Sequence, residues 1–267
     1  MAKIDVPGCT LRYSVFGSGE PLVLVHGTGT DSTTWNPVID LLAGDHRVIT
    51  YDRRGYGRSV HRPVRDYRTH VRDLRAVLEE ACDGPAHVVG WSSGGNVLMA
   101  LAAADTSRIR SLCVVEPPFH SMRLGGRSVI ATTLRVKRRQ LRGDRAGAAE
   151  EFFRSVFALR SGGNAYEEVD ERVRAGMRSN ADSVLAEFDP HPFGVSVDYV
   201  SVRTVTAAAV PMRWVRGNQS PMWLERIHQR FAPHRRDLET VVIPNVGHLA
   251  HHEDPTAFVA AVHAERL

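Results

Sequence analysis

The sequence predicts an α/β fold: a mostly parallel central sheet flanked by helices, with an inserted helical cap. Three observations predict it. Short β-branched apolar runs alternate with longer helical patterns up to residue 116, strand character returns after residue 210, and the stretch between shows helical periodicity alone. Strands are expected at 10–16, 21–25, 46–51, 86–90 and 112–116. Between them, Tyr67, Val71, Leu74, Val77, Leu78 and Ala81 share one face at the 3.6-residue period and predict a helix over 67–81. Residues 94–104 are apolar almost all round, which predicts a helix buried against the sheet. Helical patterns over 129–141, 148–159, 167–177 and 183–188 follow. Strands at 211–215 and 240–243, with helices over 223–231 and 256–266, then complete the sheet. The chain thus divides into a core of 1–118 plus 206–267 and a cap of 119–205, too long for a plain loop.

Composition narrows the class. With 43% hydrophobic and 24% charged residues, 22 Gly and 14 Pro, the 267-residue chain has the make-up of an ordinary globule rather than a disordered or collagen-like protein. No apolar run approaches the roughly 18–20 residues a bilayer span requires. The N-terminal stretch lacks the apolar region of a secretory leader, so a cytoplasmic protein with no membrane partner is expected. Cys9, Cys82 and Cys113 form an odd set without paired spacing. Buried free thiols are expected of them, neither a disulfide framework nor a thiolate metal site. The net charge is +4, with Lys3 and Lys137 the only lysines among 34 basic residues. Because these cations are spread along the chain rather than interleaved with aromatics on one face, no nucleic-acid partner is expected.

The most informative stretch is Val88-Val89-Gly90-Trp91-Ser92-Ser93-Gly94-Gly95, a G-x-S-x-G pattern with a strand before it and a helix after it. Such a sharp turn strains the serine backbone and leaves no room for side chains at the flanking glycines. Ser92 would stand at a helix N-terminus, where free N–H groups and the helix dipole favour developing negative charge. Upstream, the strand at 21–25 runs into His26-Gly27-Thr28-Gly29. Asp52-Arg53-Arg54-Gly55-Tyr56-Gly57-Arg58-Ser59 follows the next strand, and Gly247-His248 comes late in the chain.

In this order the motifs resemble those of the α/β-hydrolases, over nearly the whole chain outside the insertion. The resemblance implies that Ser92 is the nucleophile, that His248 is the general base, and that the backbone N–H groups of Thr28 and Ser93 form the oxyanion hole. It gives 52–59 a structural role only. A metal site is the rival reading for His248, since His251 and His252 share its loop. A position on a strand-end loop, ahead of a helix capped by Asp254 with Pro255 at its first position, favours the base, and His251 and His252 are expected to be exposed.

The acid departs from the family's commonest pattern. Where that pattern has Gly-x-x-Asp-Pro, this chain reads Gly217-Asn218-Gln219-Ser220-Pro221. A hydroxyl accepts a hydrogen bond from imidazole but cannot stabilise imidazolium, so another carboxylate is required. Glu116 is the candidate, because it ends an otherwise apolar strand, where a charge needs a partner. Some α/β-hydrolases, the haloalkane dehalogenases and zearalenone-type lactone hydrolases among them, take their acid from this strand, and the latter also resemble this chain in their Ser-Ser-Gly elbow. Asp189, Asp198 and Glu253 compete, and an ion pair between Glu116 and an arginine is the structural alternative. Ser92, in place of a carboxylate nucleophile, separates the chain from dehalogenases and epoxide hydrolases.

The expected reaction is hydrolysis of an ester or lactone of a hydrophobic small molecule through an acyl-enzyme, without metal or organic cofactor. Carbon–carbon bond hydrolysis and thioester cleavage remain alternatives on the same site, as does a non-catalytic ligand-binding role. Phe119, Phe153, Phe157 and Phe188 in the cap, with Trp91 beside the nucleophile, are expected to contact substrate. Between Arg123 and Arg145 the cap carries eight basic residues against the single acid Asp144. That run reads as a solvated helix face or as a dock for an acidic partner such as a carrier-borne thioester. A homodimer is left open.

Overall fold

A computed structural model describes residues 2–188 and 200–263. Eight strands form one sheet: β1 (Ala2–Val6), β2 (Cys9–Phe16), β3 (Glu20–Val25), β4 (His46–Tyr51), β5 (Ala86–Trp91), β6 (Ile109–Val115), β7 (Met212–Gly217) and β8 (Glu239–Ile243). Their order is β1-β2-β4-β3-β5-β6-β7-β8. β1 and β2 join antiparallel, and every pairing from β4 to β8 is parallel. All the loops that follow β3 to β8 therefore open at one edge of the sheet, where the motifs at 26–29, 92, 116, 217–220 and 247–248 gather. β1 carries no expectation from the sequence; it forms by folding back on β2 through Gly8, which adopts φ +78°.

Helices α1 (Asn36–Ala43), α2 (Tyr67–Ala81) and α3 (Ser93–Ala104) cross between the early strands. Asp66 caps α2 by accepting from Arg68 N–H, which fixes its start where the periodicity predicts. α3 is buried along most of its length, as an all-apolar helix must be. Between β6 and β7 lie α4 (Ser121–Leu124), α5 (Arg127–Leu141), α6 (Arg145–Val156), α7 (Ala165–Glu168), α8 (Glu171–Ser179), α9 (Ala181–Phe188) and α10 (Val202–Thr206). The helix expected over 167–177 is two helices. Asp170, whose ψ of 142° takes it out of the helical region, accepts from Arg172 N–H and so caps a new helix where the pattern had run through. After β7 come α11 (Met222–Phe231), α12 (Ala250–Glu253) and α13 (Pro255–Val262).

A continuous apolar core joins the sheet to the helices, from Leu11 and Val23 through Leu98 and Val114 to Phe258. Cys82 and Cys113 are buried free thiols, whereas Cys9, near the exposed start of β2, is only half-buried. Among the described residues no helix is long and apolar enough to cross a membrane.

Candidate active site

Ser92 occupies the turn from β5 into α3 with φ 53° and ψ −125°, a conformation that an L-residue holds only when its surroundings impose it. The surroundings are visible. Ser92 N–H donates to Val115 O at 2.8 Å, and a Cβ at Gly94 would stand 2.2 Å from Val25 O, so the turn tolerates no side chain there. The loop after β3 lies directly against the serine: a Cβ at Gly27 would fall 3.0 Å from Ser92 Cβ. Thr28 and the start of α3 at Ser93 thus flank Ser92, and the first amides of a helix have no intrahelical partner.

Glu116 sits just past β6 with φ 46°, its N–H bonded to Val215 O at 3.1 Å, and is 3% exposed. Among the described residues its carboxylate meets no arginine. Oε1 accepts from Gly217 N–H at 3.0 Å, and Oε2 accepts from Ser220 Oγ at 2.8 Å and from His248 Nδ1 at 2.7 Å. The structure therefore places Glu116 against His248, and Ser220, at the family's usual acid position, hydrogen-bonds that carboxylate. A proton on Nδ1 leaves Nε2 of His248 as the free base, and this buried atom has no hydrogen-bond partner among the described residues. The loop is fixed from behind by Trp91 Nε1, which donates to His248 O at 2.8 Å. Glu253, a competing acid, accepts instead from the N–H groups of Gly247 and Leu249 at 2.8 and 3.1 Å, and so braces the histidine loop. Asp189 and Asp198 lie outside the described residues.

A cavity with about 560 Å³ of space, counting its mouth, opens at Ser92. Its walls are Thr28, Pro118, Ser121, Val129, Thr132, Thr133, Phe152, Ser155, Val156 and Trp223, none of them ionisable. The expected contact residues do not include these. Trp91 is 1% exposed behind His248, Phe119 packs on Phe231, and Phe153 and Phe157 stack with each other and with Tyr166. Phe152 and Phe153 point about 100° apart on one helix, and only packing decides which of two adjacent aromatics is core. The side chain of Phe188 lies outside the described residues. The basic run is partly neutralised: Arg135 and Arg139 pair with Glu151, Arg139 with Asp144, and Arg145 with Asp182.

The three histidines of the loop do not converge. His251 is fully buried rather than exposed and His252 half-buried, and Thr34 Oγ1 contacts both, at 2.9 and 3.2 Å. Among the described residues no group of three or more His, Cys, Asp or Glu is arranged to hold a metal ion. Burial pushes His251 and His70 well below the usual imidazole value, and His252 down to about 4. His26 falls to about 3 through burial and then the nearby Arg53 charge. Each of these groups binds a proton in the unfolded chain near pH 6.5 but not in the folded one. The contribution of His252 and His26 to stability is thus complete above pH 6.5 and is lost as the pH falls toward about 4 and about 3, and His251 and His70 act in the same sense. Burial raises the Glu253 carboxyl, which acts in the opposite sense. Guanidinium unfolding should show a stability several kcal/mol lower at pH 5.5 than at pH 7.5; a flat profile would mean that these imidazoles are charged in the native state.

The fold and this arrangement define a class. The family model described as the alpha/beta hydrolase family matches residues 22–262, and the chain belongs to that family. A putative carbamate hydrolase, RutD, of Azorhizobium caulinodans is 41% identical over 108 residues, 40% of each chain. A pimeloyl-[acyl-carrier protein] methyl ester esterase of Aliivibrio salmonicida is 30% identical over 167 residues, 62% of each. The chain thus spans about two fifths to three fifths of the length of these curated relatives. A thermophilic esterase from Thermogutta terrifontis superposes with a TM-score of 0.74 at 25% identity, covering 98% of this chain and 96% of that one.

Proposed function

We propose that the protein is a serine hydrolase that cleaves an ester or lactone of an uncharged, hydrophobic small molecule through an acyl-enzyme on Ser92. One observation carries the reading: a buried His248–Glu116 pair at 2.7 Å that leaves Nε2 free, in a site where Ser92 is held in a strained turn. His248 Nε2 takes the proton of Ser92 as Oγ attacks the carbonyl carbon. Glu116 holds the Nδ1 tautomer and stabilises the imidazolium. The N–H groups of Thr28 and Ser93 receive the oxyanion. His248 then protonates the leaving alcohol, and water, activated by the same nitrogen, releases the acid.

Residues 119–205 act as the cap and set the substrate class. A wall of apolar and hydroxyl side chains with no ionisable group favours a neutral acyl chain, since a charged one would be desolvated without a partner. The names of the relatives, a carbamate hydrolase and esterases, support hydrolysis at a carbonyl centre. The test is labelling with a fluorophosphonate, located by peptide mass spectrometry, followed by a panel of p-nitrophenyl esters. The expected outcome is a single adduct on Ser92 and turnover of uncharged acyl chains at least tenfold above chains ending in a carboxylate. Absence of an adduct from the folded protein would overturn the serine mechanism.

A further inference from the structure

A second buried carboxylate, outside the triad, joins the cap to the oxyanion loop. Glu187 belongs to α9 and is 3% exposed. Its Oε1 accepts from Arg53 Nη2 at 3.1 Å and Tyr56 OH at 2.6 Å; its Oε2 accepts from Thr28 Oγ1 at 2.5 Å and Tyr67 OH at 3.2 Å. Burial, and then the Glu187 charge, pushes both phenols well above their usual value, so they remain donors. Arg53 is fully buried, and Glu187 supplies its counter-charge. The same arginine's N–H donates to His26 Nε2 at 2.9 Å, which places the imidazole proton on Nδ1, facing Gly27 O at 2.9 Å. The loop 26–29 is thereby held from two sides, by the backbone after β4 through His26 and by the cap through Thr28. Asn180, also from the inserted segment, adds a bond to Gly29 O at 3.3 Å.

We infer that Glu187 is a positioning residue for catalysis: by accepting a hydrogen bond from the Thr28 hydroxyl it fixes the loop whose Thr28 N–H receives the oxyanion. This rests on the serine-hydrolase reading. The physical reason is geometric, because an oxyanion donor acts only within hydrogen-bond range of the oxygen as it becomes tetrahedral, and a loop free to drift loses that alignment. Thr28 has one hydroxyl proton and spends it on a carboxylate, so its side chain is not available to donate to the oxyanion. The cap is then part of the catalytic geometry as well as the wall that selects substrate.

The test uses Thr28→Val, which keeps shape and β-branching but removes the link to Glu187, and Thr28→Ser, which keeps the link. Glu187→Gln is the third variant; it leaves Arg53 unneutralised and can fail to fold, and in that event the pair at Thr28 decides alone. Readouts are kcat and KM on p-nitrophenyl butyrate, the fluorophosphonate labelling rate and the thermal midpoint. Thr28→Val should lower kcat and the labelling rate about 10- to 100-fold with KM within threefold and the midpoint nearly unchanged, while Thr28→Ser, which keeps the hydroxyl, should recover at least about fivefold over Thr28→Val in both rates. A folded Glu187→Gln should match Thr28→Val, and the double variant should be no slower than either. Wild-type kcat in Thr28→Val, or a rise in KM at unchanged kcat, would overturn the positioning role. If wild type itself neither turns over nor labels, it is the serine-hydrolase reading that has failed.

Discussion

Ser92→Ala should abolish hydrolysis, lowering kcat about 10⁵- to 10⁶-fold and eliminating the fluorophosphonate adduct, with no loss of stability. The rate loss follows from removal of the attacking atom. The preserved stability follows from the structure, because the Ser92 side chain makes no capping bond to α3 and its backbone is held by Val115 O and the loop at Gly27 rather than by Oγ. What remains is the catalysis that an oxyanion hole and binding alone provide. The neighbouring Ser93 is fully buried and cannot replace it. Retention of more than about 1% of wild-type kcat by a folded Ser92→Ala protein, against the loss expected for a nucleophile, would place the nucleophile elsewhere.

The second large effect is expected at Glu116. Three donors, Gly217 N–H, Ser220 Oγ–H and His248 Nδ1–H, converge on its two oxygens, so the amide of Glu116→Gln has no orientation in which its NH₂ avoids a donor. If the NH₂ faces His248, Nδ1 becomes an acceptor, the proton moves to Nε2 and the base is lost. A wrong tautomer of this kind costs about 10⁴-fold in kcat where a triad acid has been replaced by its amide. Ser220→Ala removes one neutral donor from the same carboxylate and should slow turnover less than about tenfold, because the carboxylate and the tautomer survive. The sharper experiment combines Glu116→Gln with Ser220→Asp. Ser220 Oγ lies 2.8 Å from the oxygen that holds His248, so a carboxylate at position 220 can reach the imidazole and should restore activity at least tenfold over Glu116→Gln. Steady-state kinetics on one ester decides the matter: wild-type rates in Glu116→Gln would remove Glu116 from the mechanism, and absence of rescue would mean that the β6 position alone orients the base.

These two residues mark how far the sequence reaches. Ser92 is legible because its constraint is local: the elbow needs small residues at fixed spacing, and a strand before and a helix behind can be read from periodicity. His248 is legible through motif order. Glu116 is legible by elimination, since a charge closing an apolar strand requires a partner, but that partner lies 132 residues away and only the parallel pairing of β6, β7 and β8 brings the two loops together.

What the sequence by itself determined was the alternation of strands and helices, the helical insertion and the turn that strains Ser92, all of which depend on neighbours within a few residues. The tertiary structure decided the rest. It placed Phe152 rather than Phe153 against the cavity, buried His251, turned Ser220 into a donor to Glu116, and brought Glu187 from α9 onto Thr28. The reason is common to all four. Side-chain partners separated by tens of residues are selected by packing and by the need to satisfy buried polar groups, and neither leaves a periodic trace along the chain.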